Sequence, residues 1–110
     1  MLVDTRAGIN ILKRRITKET VNTEPKEFFM GNERHATDKH MTSQITDKIH
    51  IFHVVSDNFP LIEDGIIGLH FLKKYIYNIT YEFLQLDNER ILFQKLEETI
   101  SSGEIIQSTK

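Results

Sequence analysis

Two short segments of this chain carry residues that could perform hydrolytic chemistry. In the first, the apolar pair Leu2-Val3 leads directly into Asp4, which is followed by a hydroxyl residue, Thr5. An aspartate of ordinary acidity is a poor general base at neutral pH. Two aspartates a few ångströms apart cannot both ionise, so they share a proton. Such a pair can activate a water molecule while it polarises or protonates a carbonyl group.

The second segment, residues 64–72, reads Asp-Gly-Ile-Ile-Gly-Leu-His-Phe-Leu. Its Ile66-Ile67 pair predicts a short buried strand, and Gly68 stands where that strand gives way to a helix. An apolar run into Asp-Thr, followed sixty residues later by two apolar residues and a glycine, resembles the retroviral-type aspartic proteases (retropepsins) of retroelements. That family has one catalytic aspartate per chain, so the resemblance implies a homodimer in which each copy supplies Asp4.

The resemblance also implies supporting roles around Asp4. Thr5 would make hydrogen bonds across the dimer beneath the aspartates, and Gly68 would let the helix pack closely under the loop. The supporting set is Thr5, Arg6, Ala7, Gly8, Ile67 and Gly68. A hairpin flap would close over an extended peptide substrate and exclude water. Its best candidate tip consists of Met30, Gly31, Asn32, Glu33 and Arg34.

Arg6 departs from the family pattern, which has glycine at this position. The glycine lets the substrate backbone approach the catalytic loop, so a side chain here would intrude into the cleft. A permanent cation beside the carboxylates favours their ionised forms and opposes the shared proton. A backbone conformation that suits glycine could also strain an arginine. These arguments predict that this copy is weak or inactive.

The chain has only three residues before Asp4, whereas the family has a strand or more there. We therefore expect a fragment of a longer polyprotein or a decayed copy. A partial barrel of this kind would expose strand edges.

Composition narrows the class of protein. The 110 residues suit a single small domain, and 27% charged with 39% apolar residues fits neither a disordered nor a membrane protein. A net charge of −2 argues against binding nucleic acid. The absence of cysteine removes disulfides and thiol catalysis. The resemblance implies an intracellular location, in the cytoplasm or within a virus-like particle.

The residue pattern predicts a mostly β fold, and the resemblance makes it a small retropepsin-type acid-protease barrel, incomplete at its start. One short helix is expected near residues 68–76, where Leu69, Leu72 and Tyr75 share a face. Strands are predicted over residues 9–16, 26–30, 36–42, 45–55, 66–67, 78–86 and 91–96. Residues 17–25 are predicted to be a loop, and Gly31 opens a turn. The domain is expected to span residues 1–96, with a linker or tail over residues 97–110.

Other chemistries find little support. The five histidines lack a convincing metal-ligand spacing, because His50 and His53 should point to opposite faces of a strand. We therefore predict no metal and no cofactor.

Two alternatives to an active peptidase remain open. One is an inactive relic that still dimerises or binds peptides. The other is an unrelated small β-rich binding domain, in which replacing Asp4 with asparagine would alter at most stability.

Overall fold

The computed structural model describes residues 1–102 and shows a mostly β protein. The strands in this part of the chain are β1 (Leu2–Val3), β2 (Ile11–Lys13), β3 (Val21–Met30), β4 (Glu33–Ile45), β5 (Lys48–Val55), β6 (Gly65–Ile67), β7 (Tyr77–Ile79), β8 (Phe83–Leu86) and β9 (Glu89–Leu92). The helices are α1 (Leu69–Leu72) and α2 (Leu96–Ser102), with 3₁₀ turns at Arg14–Ile16 and Phe93–Lys95.

Six strands form one sheet in the order β1-β6-β2-β5-β4-β3, and β7, β8 and β9 form a second, antiparallel sheet. β6 lies between β1, to which it is parallel, and β2, to which it is antiparallel. Leu2 is opposite Ile66, and Ile66 is also opposite Ile11. This interleaving brings the loop after β1 beside the end of β6, although the two segments are sixty residues apart in sequence.

The main core fills the space between one face of the large sheet, the small sheet and both helices. Its fully buried side chains are those of Leu12, Ile45, Phe52, Ile67, Phe71, Leu72, Leu84, Leu86, Leu96 and Ile100. A second, smaller cluster of Ile11, Phe28, Val55 and Ile66 is also buried. Ala7, Ile9 and Met30 pack against this second cluster, so it joins the loop after β1 to the β3–β4 hairpin.

Three predicted segments differ from the strands in the structure. Residues 17–25 were predicted to be a loop, but β3 begins at Val21, pairs with β4 and carries a register irregularity between Asn22 and Lys26. The predicted strand over residues 45–55 is interrupted, because Thr46 has a φ of 59° in the turn between β4 and β5. The predicted strand over residues 9–16 is limited to β2 and is followed by a 3₁₀ turn.

The C-terminal part needs two corrections. The expected helix near residues 68–76 is present, but its α-helical part ends at Leu72. Residues 97–102, expected to be linker, belong to α2, and Ile100 is fully buried in the main core. The Ser43 hydroxyl donates a 2.7 Å hydrogen bond to the Ile100 carbonyl, which fixes α2 against β4. Residues 103–110 of the predicted tail lie outside the described residues.

Candidate functional site

Asp4 stands at the first turn after β1. Its backbone N–H donates a 2.9 Å hydrogen bond to the carbonyl of Ile67, and its own carbonyl accepts one of 3.1 Å from Ala7. The carboxylate oxygen Oδ1 accepts a 2.9 Å bond from the backbone N–H of Arg6. Oδ2 accepts no hydrogen bond from any residue between 1 and 102, and the side chain is 28% exposed. One carboxylate oxygen is thus held in place while the other is available to a ligand.

Gly68 lies directly behind this loop. A Cβ atom built on Gly68 would be 2.5 Å from the carbonyl oxygen of Ile9 and 2.6 Å from that of Ala7. Two backbone bonds tie the start of α1 to the same loop, from Leu69 N–H to the Ala7 carbonyl at 2.8 Å and from His70 N–H to the Gly8 carbonyl at 3.0 Å. The close approach predicted for Gly68 is therefore present, because only hydrogen fits between the two backbones.

Asn10 is a positioning residue that the sequence analysis missed. Its side chain is fully buried, and its oxygen Oδ1 accepts a 3.0 Å hydrogen bond from the backbone N–H of Gly68. Its amide nitrogen donates a 3.0 Å bond to the carbonyl of Ile51, and its own carbonyl accepts one of 2.9 Å from His53 N–H. One side chain thus connects the Asp4 loop, the start of α1 and β5. Nothing in its sequence neighbourhood distinguishes it from an ordinary turn asparagine.

Arg6 occupies the rim of the site. Its side chain is 92% exposed, and Nε lies 3.6 Å from Oδ1 of Asp4. Within residues 1–102, Thr46 and Asp87 are the non-glycine residues with positive φ, so Arg6 is not in the left-handed conformation that favours glycine. The expected backbone strain is therefore absent, whereas the expected cation beside the carboxylate is present. Thr5, the predicted cross-dimer support, is exposed to solvent in the single chain.

The β3–β4 hairpin covers the Asp4 loop. A cavity of about 580 Å³ lies between them, lined on the loop side by Asp4, Arg6, Ala7, Gly8 and Ile9 and on the hairpin side by Phe28, Phe29, Met30 and Gly31. Ile11 and Ile66 complete the walls. Gly31 makes the tip turn with a φ of 61°, as expected for a glycine there. We call this cavity the Asp4 cleft.

Several predicted site residues lie outside the Asp4 cleft. Asn32, Glu33 and Arg34 do not line it, and Arg34 instead lies 3.9 Å from Glu27 on the neighbouring strand. Ile67 is fully buried in the main core, and its neighbour Ile66 forms part of the cleft wall. Adjacent residues of a strand face opposite sides of the sheet, so Ile66 faces the cleft whereas Ile67 faces the main core.

A larger concavity, of about 860 Å³, is lined by part of β4 and by residues at and after the end of β5. It opens where β4 separates from β5, beyond the last register pair between His40 and His53. Its lining includes Arg14, Ser56 and Phe59, and Asp4 is not part of it.

Among residues 1–102, no group of three or more histidine or acidic side chains is arranged to hold a metal ion. No helix within the same residues combines the length and apolarity needed to cross a membrane.

The chain has no significant match among protein-family models, curated protein sequences or solved structures.

Proposed function

We propose that this chain is a retropepsin-like aspartic endopeptidase domain of a retroelement polyprotein, working as a homodimer. The observation that carries the proposal is the packing of the Asp4 loop on Gly68 under the β3–β4 hairpin. The sequence motifs on which the family resemblance rests are distant in the chain, yet they meet at one cleft. The retropepsin type of the fold is part of the same proposal.

The proposed chemistry needs two copies of Asp4. A two-fold axis beside the loop would bring the two carboxylates close, and one proton would then be shared between them. The ionised aspartate takes a proton from water as the water attacks the peptide carbonyl, which the protonated aspartate polarises. The C–N bond then breaks as the leaving nitrogen takes a proton from an aspartate, which releases an amine and a carboxylic acid. Oδ2 of Asp4 accepts no hydrogen bond from the described residues, so it is the oxygen available for this role.

The proposed substrate is an extended peptide lying between the hairpin and the Asp4 loop. Strand-like peptides bind by backbone hydrogen bonds, with their side chains held in pockets. The apolar side chains of Phe28, Phe29, Met30 and Ile66 offer such pockets for apolar residues. The mechanism uses only carboxylates and water, so the proposal includes no metal or cofactor.

The test is cleavage of a mixed peptide library between pH 4 and 7 by the wild-type chain and by the Asp4→Asn variant. We expect any cleavage by the wild type to be lost in the variant, because asparagine cannot take a proton from water. The neutral replacement has nearly the same shape, and circular dichroism would verify that both proteins fold. Equal cleavage by the two proteins would refute the aspartic mechanism.

A second candidate function is favoured by Arg6. Its guanidinium lies at the rim of the cleft, with Nε 3.6 Å from the Asp4 carboxylate, at the position where the retropepsin pattern has glycine. An inactive relic that retains dimerisation or peptide binding would have this arrangement.

Replacing Arg6 with glycine tests whether this residue makes the chain a weak or inactive copy. We expect Arg6→Gly to raise the cleavage rate about tenfold or more, since general acid–base catalysis typically contributes factors of 10² to 10⁴. The exposed side chain can be removed without disturbing the core. The matched control is Arg6→Lys, which keeps the charge and should stay as slow as the wild type. An unchanged rate in Arg6→Gly would show that Arg6 does not limit cleavage.

A further inference from the structure

Among residues 1–102, the Arg6 guanidinium is the one cation that lines the Asp4 cleft. Its side chain is 92% exposed, and its ion-pair contact within residues 1–102 runs from Nε to Asp4 at 3.6 Å. The described residues supply its side chain with no hydrogen bond. The same Asp4 oxygen already accepts the backbone N–H of Arg6 at 2.9 Å. The forked end of the guanidinium is thus open to a ligand in the cleft.

The remaining walls of the cleft are mostly apolar. In the described part of the chain, Asp4 and Arg6 are the only charged residues that line it. Ile9, Ile11 and Ile66 form one side, and Phe28, Phe29 and Met30 form the other. Phe29 is 69% exposed, so it presents an aromatic surface that a ligand could cover. A ligand that matches these walls carries apolar groups and one anionic group that reaches the rim.

We propose that the Asp4 cleft selects extended peptides that carry a glutamate or aspartate beside apolar residues, with Arg6 as the specificity-determining residue. This inference rests on the proposed function, in which the cleft binds an extended peptide. A guanidinium can bind a carboxylate through two parallel N–H···O bonds, and this geometry distinguishes a carboxylate from an amide. The apolar neighbours of the acid would occupy the pockets formed by Phe28, Met30 and Ile66.

In the wild-type chain the Asp4 carboxylate would repel an incoming anion and compete for Arg6 through its contact with Nε, so the preference is measured with asparagine at position 4. Exposed ion pairs contribute little to binding, so we expect a two- to fivefold preference for the acidic peptide, about the range that such pairs give. The preference should shrink as salt is added, because exposed charges are screened.

The experiment measures binding without cleavage. The full chain carrying Asp4→Asn is titrated with fluorescent apolar heptapeptides, in which one glutamate is moved through each position in turn. Each peptide has a partner with glutamine in the same position. The same titrations are repeated with the Asp4→Asn, Arg6→Gln chain, and circular dichroism verifies that it is folded. The expected result is a salt-sensitive preference for glutamate at one position, lost when Arg6 is replaced.

Two other outcomes would overturn the inference, and they differ in what they leave standing. If peptides bind but glutamate and glutamine bind equally, or the preference survives Arg6→Gln, Arg6 does not set specificity and the peptide cleft stands. If no peptide binds to either chain at any concentration tested, the inference and the proposed peptide cleft both fail.

Discussion

Replacing Gly68 with alanine is expected to lower the free energy of unfolding by about 3 kcal/mol, near the upper end of the usual cost of overpacking. The new methyl group would lie 2.5 Å from the Ile9 carbonyl oxygen and 2.6 Å from that of Ala7. Both oxygens belong to backbone, so no side chain can rotate away. The loop would have to move, and the hydrogen bond from Gly68 N–H to Asn10 would stretch with it.

Gly8 offers a matched control four residues after Asp4. No atom lies within 4 Å of a Cβ built on Gly8, and the residue is exposed. Gly8→Ala should therefore change the free energy of unfolding by no more than about 0.5 kcal/mol. Urea denaturation of the three proteins measures the difference. Equal stability of Gly68→Ala and Gly8→Ala would show that the close packing behind the Asp4 loop is wrong.

A second large effect is expected from pH, through His50. Its side chain is buried, stacks on Phe71 at 4.0 Å and lies 2.5 Å from the Tyr75 hydroxyl. Burial, with Lys74, His70 and Lys48 nearby, lowers the pKa of His50 from 6.5 to about 4. The folded protein thus binds this proton less readily than the unfolded chain does. The stabilisation of the fold by neutral His50 is therefore complete above pH 6.5 and is lost as the pH falls towards 4.

The loss is expected to reach about 3 kcal/mol, since each pKa unit corresponds to about 1.4 kcal/mol. Burial also lowers the pKa values of His53 and His70, so a part of the acid sensitivity belongs to them. The measurement is the free energy of unfolding in urea at pH 7, 6, 5 and 4. His50→Gln keeps a donor for Tyr75 and cannot be protonated, so it should remove most of the slope of the unfolding free energy against pH. A slope as steep as that of the wild type would contradict the assignment.

This acid sensitivity bears on the cleavage test. Sharing of a proton between two aspartates is favoured in acid, but acid also favours unfolding through His50. Peptide cleavage near pH 5 to 6 is therefore the most informative part of the range. His50→Gln would extend the usable range to lower pH.

Two short elements were predicted where they lie, although the helix ends earlier than expected. β6 and the helix after Gly68 are both short, but a glycine begins each of them or lies just before it, and Ile66 and Ile67 are buried. Gly31 correctly predicted a turn, because glycine readily adopts the φ of 61° that the turn requires. In each of these cases, a local residue preference and the tertiary environment favour the same structure.

The first part of β3 and the turn between β4 and β5 were missed because they lack that agreement. The first part of β3 is exposed to solvent, so burial imposes no alternation on residues 21–27. Thr46 adopts positive φ, which threonine seldom does, so the residue type gave no signal for the turn between β4 and β5. The signal for α2 was present, since Leu96, Thr99 and Ile100 are spaced for one helical face and are all buried.

The candidate site was partly predictable for a similar reason. Asp4 and Gly68 were found because their residue types and spacing are unusual together. Asn10 and Ile66 were missed because their importance depends on contacts across the sheet. A buried asparagine that bonds both Gly68 and Ile51 has the same sequence signature as one in a surface turn.

The contacts that hold the Asp4 loop bear on how this chain can change over evolutionary time. Ala7, Gly8, Ile9 and Asn10 make the loop's contacts with Gly68 and α1, whereas the side chain of residue 6 points into solvent. The backbone N–H of Arg6 that bonds Asp4 is common to every residue except proline. Substitutions at this position therefore have little effect on folding, and selection for a stable fold would not remove them. Under the proposed peptidase function, a substitution at residue 6 would change hydrolysis while the scaffold is inherited intact.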